Sequence, residues 1–186
     1  MGIIQGVLIM LNKRINWIFY CLQMVALVLF SYRQRLYGDI CNNAVFFLVG
    51  IVAFVLWGKG KTRDVSVSTR KHVIIYSLLT IIAICAVCYW LSNSDDPLPF
   101  LDAITTVTSI LATLLMAMRR IDCWIVWLIN DLCYCAEYYL LSDQALYLFA
   151  LNVIWTLMAL GSYWKWWKIS QAEECVKEIT SQNYMR

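Results

Sequence analysis

Charge is what this chain has least of. Only 15% of its 186 residues are Asp, Glu, Lys or Arg, where a soluble domain carries about 25%. That scarcity excludes a soluble enzyme and a disordered chain. Two prolines, Pro97 and Pro99, and seven glycines exclude a collagen-like chain. The one histidine, His72, falls at a predicted helix start. The cysteines therefore lack the His or carboxylate company a metal centre needs, and we expect no metal and no cofactor. No basic patch interleaved with exposed aromatics suggests nucleic-acid binding. The first 11 residues show neither a basic secretory n-region nor a small-residue cleavage site, and the Met-Gly-Ile-Ile-Gln-Gly start lacks a myristoylation Ser or Thr.

What is there is apolar. The chain is 62% hydrophobic, with nine Trp, eleven Tyr and seven Phe, and its mean hydropathy is +0.66. We expect an all-α integral membrane protein. At about 20 residues per span, roughly seven spans fit at most. The net charge of +3 says little of partners. Of the eight cysteines, Cys21, Cys85, Cys88, Cys133 and Cys135 lie in apolar runs, where Cys acts as a small hydrophobe. Cys85-x-x-Cys88 has redox spacing but no βαβ context, and it reads as packing.

Charge clusters mark the limits of the runs. The first, Gly2 to Leu11, is too short to cross alone: either the start lies upstream or this helix is reduced. The others run over Ile15–Tyr32, Asp39–Trp57, His72–Leu91, Phe100–Met118, Cys123–Leu141 and Ala145–Trp167. Residues 1–58 then form a first three-helix repeat, 59–71 a basic loop, 72–92 a linker helix, 98–168 a second repeat, and 169–186 a polar tail expected to fray. Basic breaks follow spans 1, 3, 5 and 7, and acidic or near-neutral ones follow 4 and 6. This fits an N-terminus outside and a C-terminus inside, with loop and tail cytoplasmic, although Arg33 and Arg35 after span 2 dissent. Trp57, Trp90, Trp164, Trp166 and Trp167 stand at span ends and read as an interfacial aromatic belt.

The halves resemble each other. Lys13-Arg14-Ile15-Asn16-Trp17 answers Arg119-Arg120-Ile121-Asp122-Cys123-Trp124, Leu36-Tyr37 answers Leu146-Tyr147, and Trp57 answers Trp164. One span between two triplets makes them parallel, a 3+1+3 plan. Transporters with such repeats hold substrate between them near the midplane.

The sixth span carries Trp124-x-x-Trp127-x-x-x-Asp131, one helical face. Tyr134 and Tyr138 extend it. Asp131 lies about 10 Å into the helix. A carboxylate there needs a wet cavity or a partner, and two indoles beside it make a site for a cation. In the fifth span Asp102, Thr106, Ser109 and Thr113 form a polar stripe, a pattern that also serves helix packing. In the seventh, Asn152, Trp155 and Ser162 can share a face. The first repeat is less polar: Trp17, Tyr20 and Met24 take the places of Trp124, Trp127 and Asp131, leaving Gln23 and Asn43.

These residues resemble the PnuC family of nicotinamide riboside transporters, whose fold is like that of the SWEET sugar carriers. The family's sixth core span reads Trp-x-x-Trp-x-x-x-Asn/Asp. Asp102-Ala103, Thr105, Thr106, Ser109 and Leu115-Met116-Ala117 before Arg119 are also similar to it, as are Leu146-Tyr147, Gly161-x-x-Trp164, Trp17, Leu36-Tyr37-Gly38-Asp39 and Phe46-Phe47-Leu48. The resemblance covers about residues 12–168. The third span departs, with Val49-Gly50-Ile51 in place of Pro-x-Gln and Gly-Trp features.

The resemblance implies a bacterial inner-membrane carrier of a vitamin or nucleoside, working by facilitated diffusion with phosphorylation inside the cell trapping the substrate, and a homotrimer. Its partners are that substrate and the bilayer. No nucleophile–base pair or phosphate loop suggests catalysis. Candidate substrate contacts are Trp124, Trp127, Asn130, Asp131, Thr106, Ser109 and Asn152, with Trp17 and Tyr20 from the first repeat. Alternatives are a thiamine or riboflavin carrier of the same family, a SWEET-type sugar carrier, and a degenerate subunit that transports nothing.

Overall fold

Each apolar run is a helix. The computed structural model describes residues 2–34, 37–58, 65–93, 98–141 and 146–184. Among these are α1 Gly2–Met10, α2 Asn16–Gln34, α3 Tyr37–Leu56, α4 Arg70–Leu91, α5 Pro99–Ala117, α6 Asp122–Leu141 and α7 Leu146–Tyr184. The limits fall where local chemistry sets them. Pro99 opens α5, where its missing N–H is no loss. At the end of α4, Ser92 Oγ donates to the Cys88 carbonyl at 2.7 Å and Asn93 Nδ2 to that of Tyr89 at 2.7 Å, satisfying orphan acceptors. Residues 94–97 of the expected acidic turn at Ser92 to Pro99, the expected turn at Ser142 to Gln144 and the part 59–64 of the basic loop lie outside the described residues.

Polarity is inverted relative to a soluble protein. Asn16, Thr105 and Asn130 are fully enclosed, whereas α4 has no buried residue and exposes Ile74, Leu78, Leu79, Ile81 and Ile82. A helix apolar all round and exposed all round suits hydrocarbon, not water. α4 and α5 are each long and apolar enough to cross a bilayer, and Asn16–Leu29 and Asn43–Leu56 are shorter apolar stretches.

The chain divides into two compact units. The first holds α1 to α3, residues 117–119, and α7 from Ser162 onward; the second holds α4, α5 up to Met116, α6, and α7 up to Gly161. In the first unit α2 and α3 pack closely at Gly50, where a Cβ would stand 2.8 Å from Cys21 Sγ and 2.9 Å from the Tyr20 ring. An aromatic cluster fills the unit's core. Trp17 meets Tyr20 and Trp57 edge-on at 5.5 and 5.6 Å, and Trp57 lies 6.3 Å from Trp166. Trp57 Nε1 donates to the Ala117 carbonyl and Trp166 Nε1 to that of Ile9.

Two expectations need correction here. Trp166 is fully buried and Trp57 is half-buried in this cluster, so neither belongs to an interfacial belt. Trp90, Trp164 and Trp167 are exposed, as a belt requires. Residues 169–184 do not fray. They continue α7 through Tyr184, and Glu173 Oε2 accepts the Val65 N–H at 2.9 Å. Their Gln, Ala, Glu and Lys are strong helix formers, so polarity does not end the helix.

The two basic turns share one backbone geometry. Lys13 N–H reaches back to the Leu8 carbonyl at 2.9 Å, and Arg120 N–H to that of Leu115 at 2.9 Å. The residue before each is left-handed: Asn12 at φ 53° and Arg119 at φ 56°. Each is a six-to-one closure with a left-handed residue at the helix end. The following helix starts alike, Asn16 N–H to Lys13 and Cys123 N–H to Arg120.

Candidate functional site

α6 carries the site's face in the second unit. Trp124 is buried, Trp127 is half-buried, and Asp131 is 6% exposed. Among the described residues no hydrogen-bond donor and no cation partners the Asp131 carboxylate. Within a membrane-spanning helix an ionised group so enclosed is costly without a ligand, water or counter-ion.

Asn130 sits beside it, fully enclosed, and its role is specific. Its Nδ2 donates to the Thr105 carbonyl at 2.7 Å and to Thr108 Oγ1 at 2.9 Å, so it ties α6 to α5. Its donors are thereby committed to the protein. Its Oδ1 is enclosed and accepts no hydrogen bond among the described residues. The enclosed stripe of α5 is accordingly Thr105, Thr108, Ala112 and Thr113, with Ser109 at its margin. Asp102 and Thr106, which the sequence stripe placed with Ser109 and Thr113, are half-buried. Thr106 Oγ1 donates to Asp102 Oδ1 at 3.4 Å.

The other α5 hydroxyls turn back on their own helix. Thr108 donates to Ile104, Ser109 to Thr106, and Thr113 to Ser109, at 2.6 to 2.8 Å. This is the membrane way of satisfying a hydroxyl, and it leaves their lone pairs as acceptors. On α7, Asn152 is half-buried and its carbonyl accepts from Thr156 Oγ1 at 2.9 Å.

Trp17 and Tyr20 belong to the first unit, and the other seven candidates to the second. Trp17 is fully enclosed and Tyr20 nearly so, both in the aromatic cluster. Met24, at the place of Asp131, is equally buried at 6%. The first copy of the motif thus keeps the burial and loses the charge. Thr108 escaped the sequence reading, and Thr105 entered it only through the family resemblance, not as a partner of Asn130. The usable signal was their three-residue spacing on α5 together with a buried amide on the next helix.

Segment 65–69 also escaped it. Val65 is buried, Ser66 N–H donates to the Arg119 carbonyl at 3.2 Å, and Ser68 N–H donates to Asp122 Oδ2 at 2.8 Å. Arg120 Nη1 donates to the Val67 carbonyl at 3.1 Å. The far end of the basic loop is therefore fastened by named bonds.

Among the described residues, helices that expose apolar side chains, enclosed polar groups and one helical turn built twice define a multi-pass membrane protein of the repeated-triplet carrier kind. The chain belongs to the nicotinamide mononucleotide transporter family, whose model matches residues 1–168. A relative from Neisseria mucosa, described as the nicotinamide riboside transporter PnuC, is 25% identical over 182 residues, covering 90% of this chain and 69% of its own. Among solved structures, the crystal structure of the vitamin B3 transporter PnuC superposes with a TM-score of 0.72 at 22% identity, covering 92% of this chain and 79% of that one. The seven-helix plan expected from the sequence is thus the fold observed.

Proposed function

We propose that this transporter carries nicotinamide riboside and that Asp131, with Trp124 and Trp127, recognises the positively charged ring. One observation carries the reading: a carboxylate enclosed in a span with no protein partner among the described residues. The substrate's pyridinium supplies both a fixed charge for the acid and a flat face for the indoles. The Neisseria relative's description as a nicotinamide riboside transporter supports the choice of substrate. Asn130 Oδ1, enclosed and unpaired among the described residues, offers a neutral acceptor on the same helix.

Transport is facilitated diffusion, with phosphorylation by a separate enzyme retaining the substrate, and the chain catalyses no step itself. The family resemblance supports an inner-membrane placement, and the Lys and Arg distribution supports a C-terminus inside. The family resemblance supports a homotrimer. A thermal-shift screen tests the substrate directly. Nicotinamide riboside should protect the purified protein, and riboflavin and glucose should not. Protection by riboflavin alone would overturn the assignment, and protection by thiamine alone would keep the cation site but change its ligand.

A further inference from the structure

A second feature lies within the first unit. Between α2 and α3 runs an apolar cleft of about 220 Å³, lined among others by Trp17, Cys21, Leu22, Val25, Phe47 and Phe54. On α2 these lining positions recur at helical spacing from Trp17 to Val25, about 12 Å of helix. The cleft opens sideways, where Leu22 and Val25 are exposed. This is a slot of acyl-chain dimensions on a face that meets hydrocarbon.

One end of the slot is charged. Phe54, which lines it, also carries Arg14. The Arg14 Nε donates to the Phe54 carbonyl at 2.9 Å, and its guanidinium carbon stands 3.9 Å from the centre of the Phe54 ring. Two contacts fix the direction of the fork. Among the described residues no carboxylate pairs with it, and Nε is the one donor it spends on a protein acceptor. An exposed, oriented guanidinium with free donors is suited to a phosphate oxygen pair. Lys13 beside it is exposed as well.

We propose that this cleft binds an anionic phospholipid, one acyl chain lying against Trp17, Val25 and Phe47 and the phosphate held at Arg14. The apolar slot and the oriented cation each select a different part of the same molecule. A second copy of the chain would leave the Arg14 charge to be matched, whereas an anionic lipid matches both. Gly58 belongs to the device: a Cβ there would run into the Arg14 guanidinium, so glycine keeps the arginine's place open.

Native mass spectrometry of the full chain, delipidated in detergent and titrated with dioleoyl phosphatidylglycerol or dioleoyl phosphatidylcholine, tests this. The anionic lipid should bind about tenfold more tightly, the equivalent of one decade in Kd. Arg14→Gln should erase that preference. Gly58→Val should weaken phosphatidylglycerol severalfold although the charge remains, because the fork is displaced. Val25→Trp should reduce binding of both lipids by filling the slot. Val25 is 43% exposed, so the larger ring displaces no enclosed core, and Leu22→Trp gives an independent version. Equal affinity for the two lipids overturns the proposal, as does unchanged phosphatidylglycerol binding in Arg14→Gln or in both tryptophan variants. So does breakdown of a wild-type oligomer in Val25→Trp with the lipid count per protomer unchanged, which would give the cleft to a neighbouring copy.

Discussion

Asn12 and Arg119 hold the same backbone position in two copies of one turn, at φ 53° and 56°. Neither is glycine, and each pays for a left-handed conformation with a closing bond one residue on. Asparagine tolerates that region better than most residues, and arginine does not. Arg119 has a compensation: its guanidinium lies 4.2 Å over the Trp57 ring. Asn12→Val should therefore lower stability by about 1–2 kcal/mol, the cost of left-handed φ for a branched residue. Asn12→Gly should be neutral or slightly stabilising. Thermal midpoints in detergent measure both.

Asn130 makes a separable prediction. Asn130→Leu removes both bonds to α5 and should destabilise the protein by about 0.6–2 kcal/mol, the range for interhelical polar contacts in membranes. Asn130→Asp cannot donate to the Thr105 carbonyl and should be at least as damaging. If Asn130 serves substrate alone, the unfolding midpoints of both variants will match wild type.

Trp166 tests the buried cluster. Trp166→Phe keeps the ring but loses the bond to the Ile9 carbonyl, and a cost of about 1 kcal/mol is expected. Trp166→Ala should cost about 3–5 kcal/mol, as for a buried aromatic. A belt residue at an interface would show neither loss. Thermal unfolding distinguishes the two roles.

Apart from the end of α7, helix limits were legible to within a residue or two, because charged clusters interrupt apolar runs sharply. The pairing of Trp17 with Trp124 was legible too, since the basic turn repeats in sequence. Other features were not. Trp57 and Trp166 carry the same residue type as Trp90 and Trp164, and only packing separates enclosed indoles from exposed ones. The polar residues after Trp167 read as a tail because polarity was mistaken for lack of helix propensity. Asn130 was singled out, but its partners were invisible: Thr105 and Thr108 are chosen by how α5 and α6 pack, not by spacing within α6. Asp131 was legible because a carboxylate inside an apolar run stands out whatever surrounds it.

Orientation is tested by labelling. Val67 is exposed, whereas the N–H of Ser66 is engaged with Arg119, so Val67→Cys in a cysteine-free background is the better reporter. An impermeant reagent applied to intact cells should miss it and should label it after lysis. Cys175, exposed on α7, should behave alike when restored alone. Labelling of either in intact cells would reverse the topology.

The central claim is that Asp131 recognises charge. The most direct measurement is uptake of nicotinamide riboside and of its neutral dihydro form by wild type, Asp131→Asn and Trp124→Leu. Asn keeps the shape and removes the charge. Asp131→Asn should cut uptake of the cationic ring by about 10- to 100-fold, roughly 1.4–2.8 kcal/mol, and leave the neutral ring within about threefold. Trp124→Leu should cost the cationic ring about two- to thirtyfold, and the neutral one less. Equal uptake of the cationic ring by wild type and Asp131→Asn, at equal membrane expression, would contradict the account.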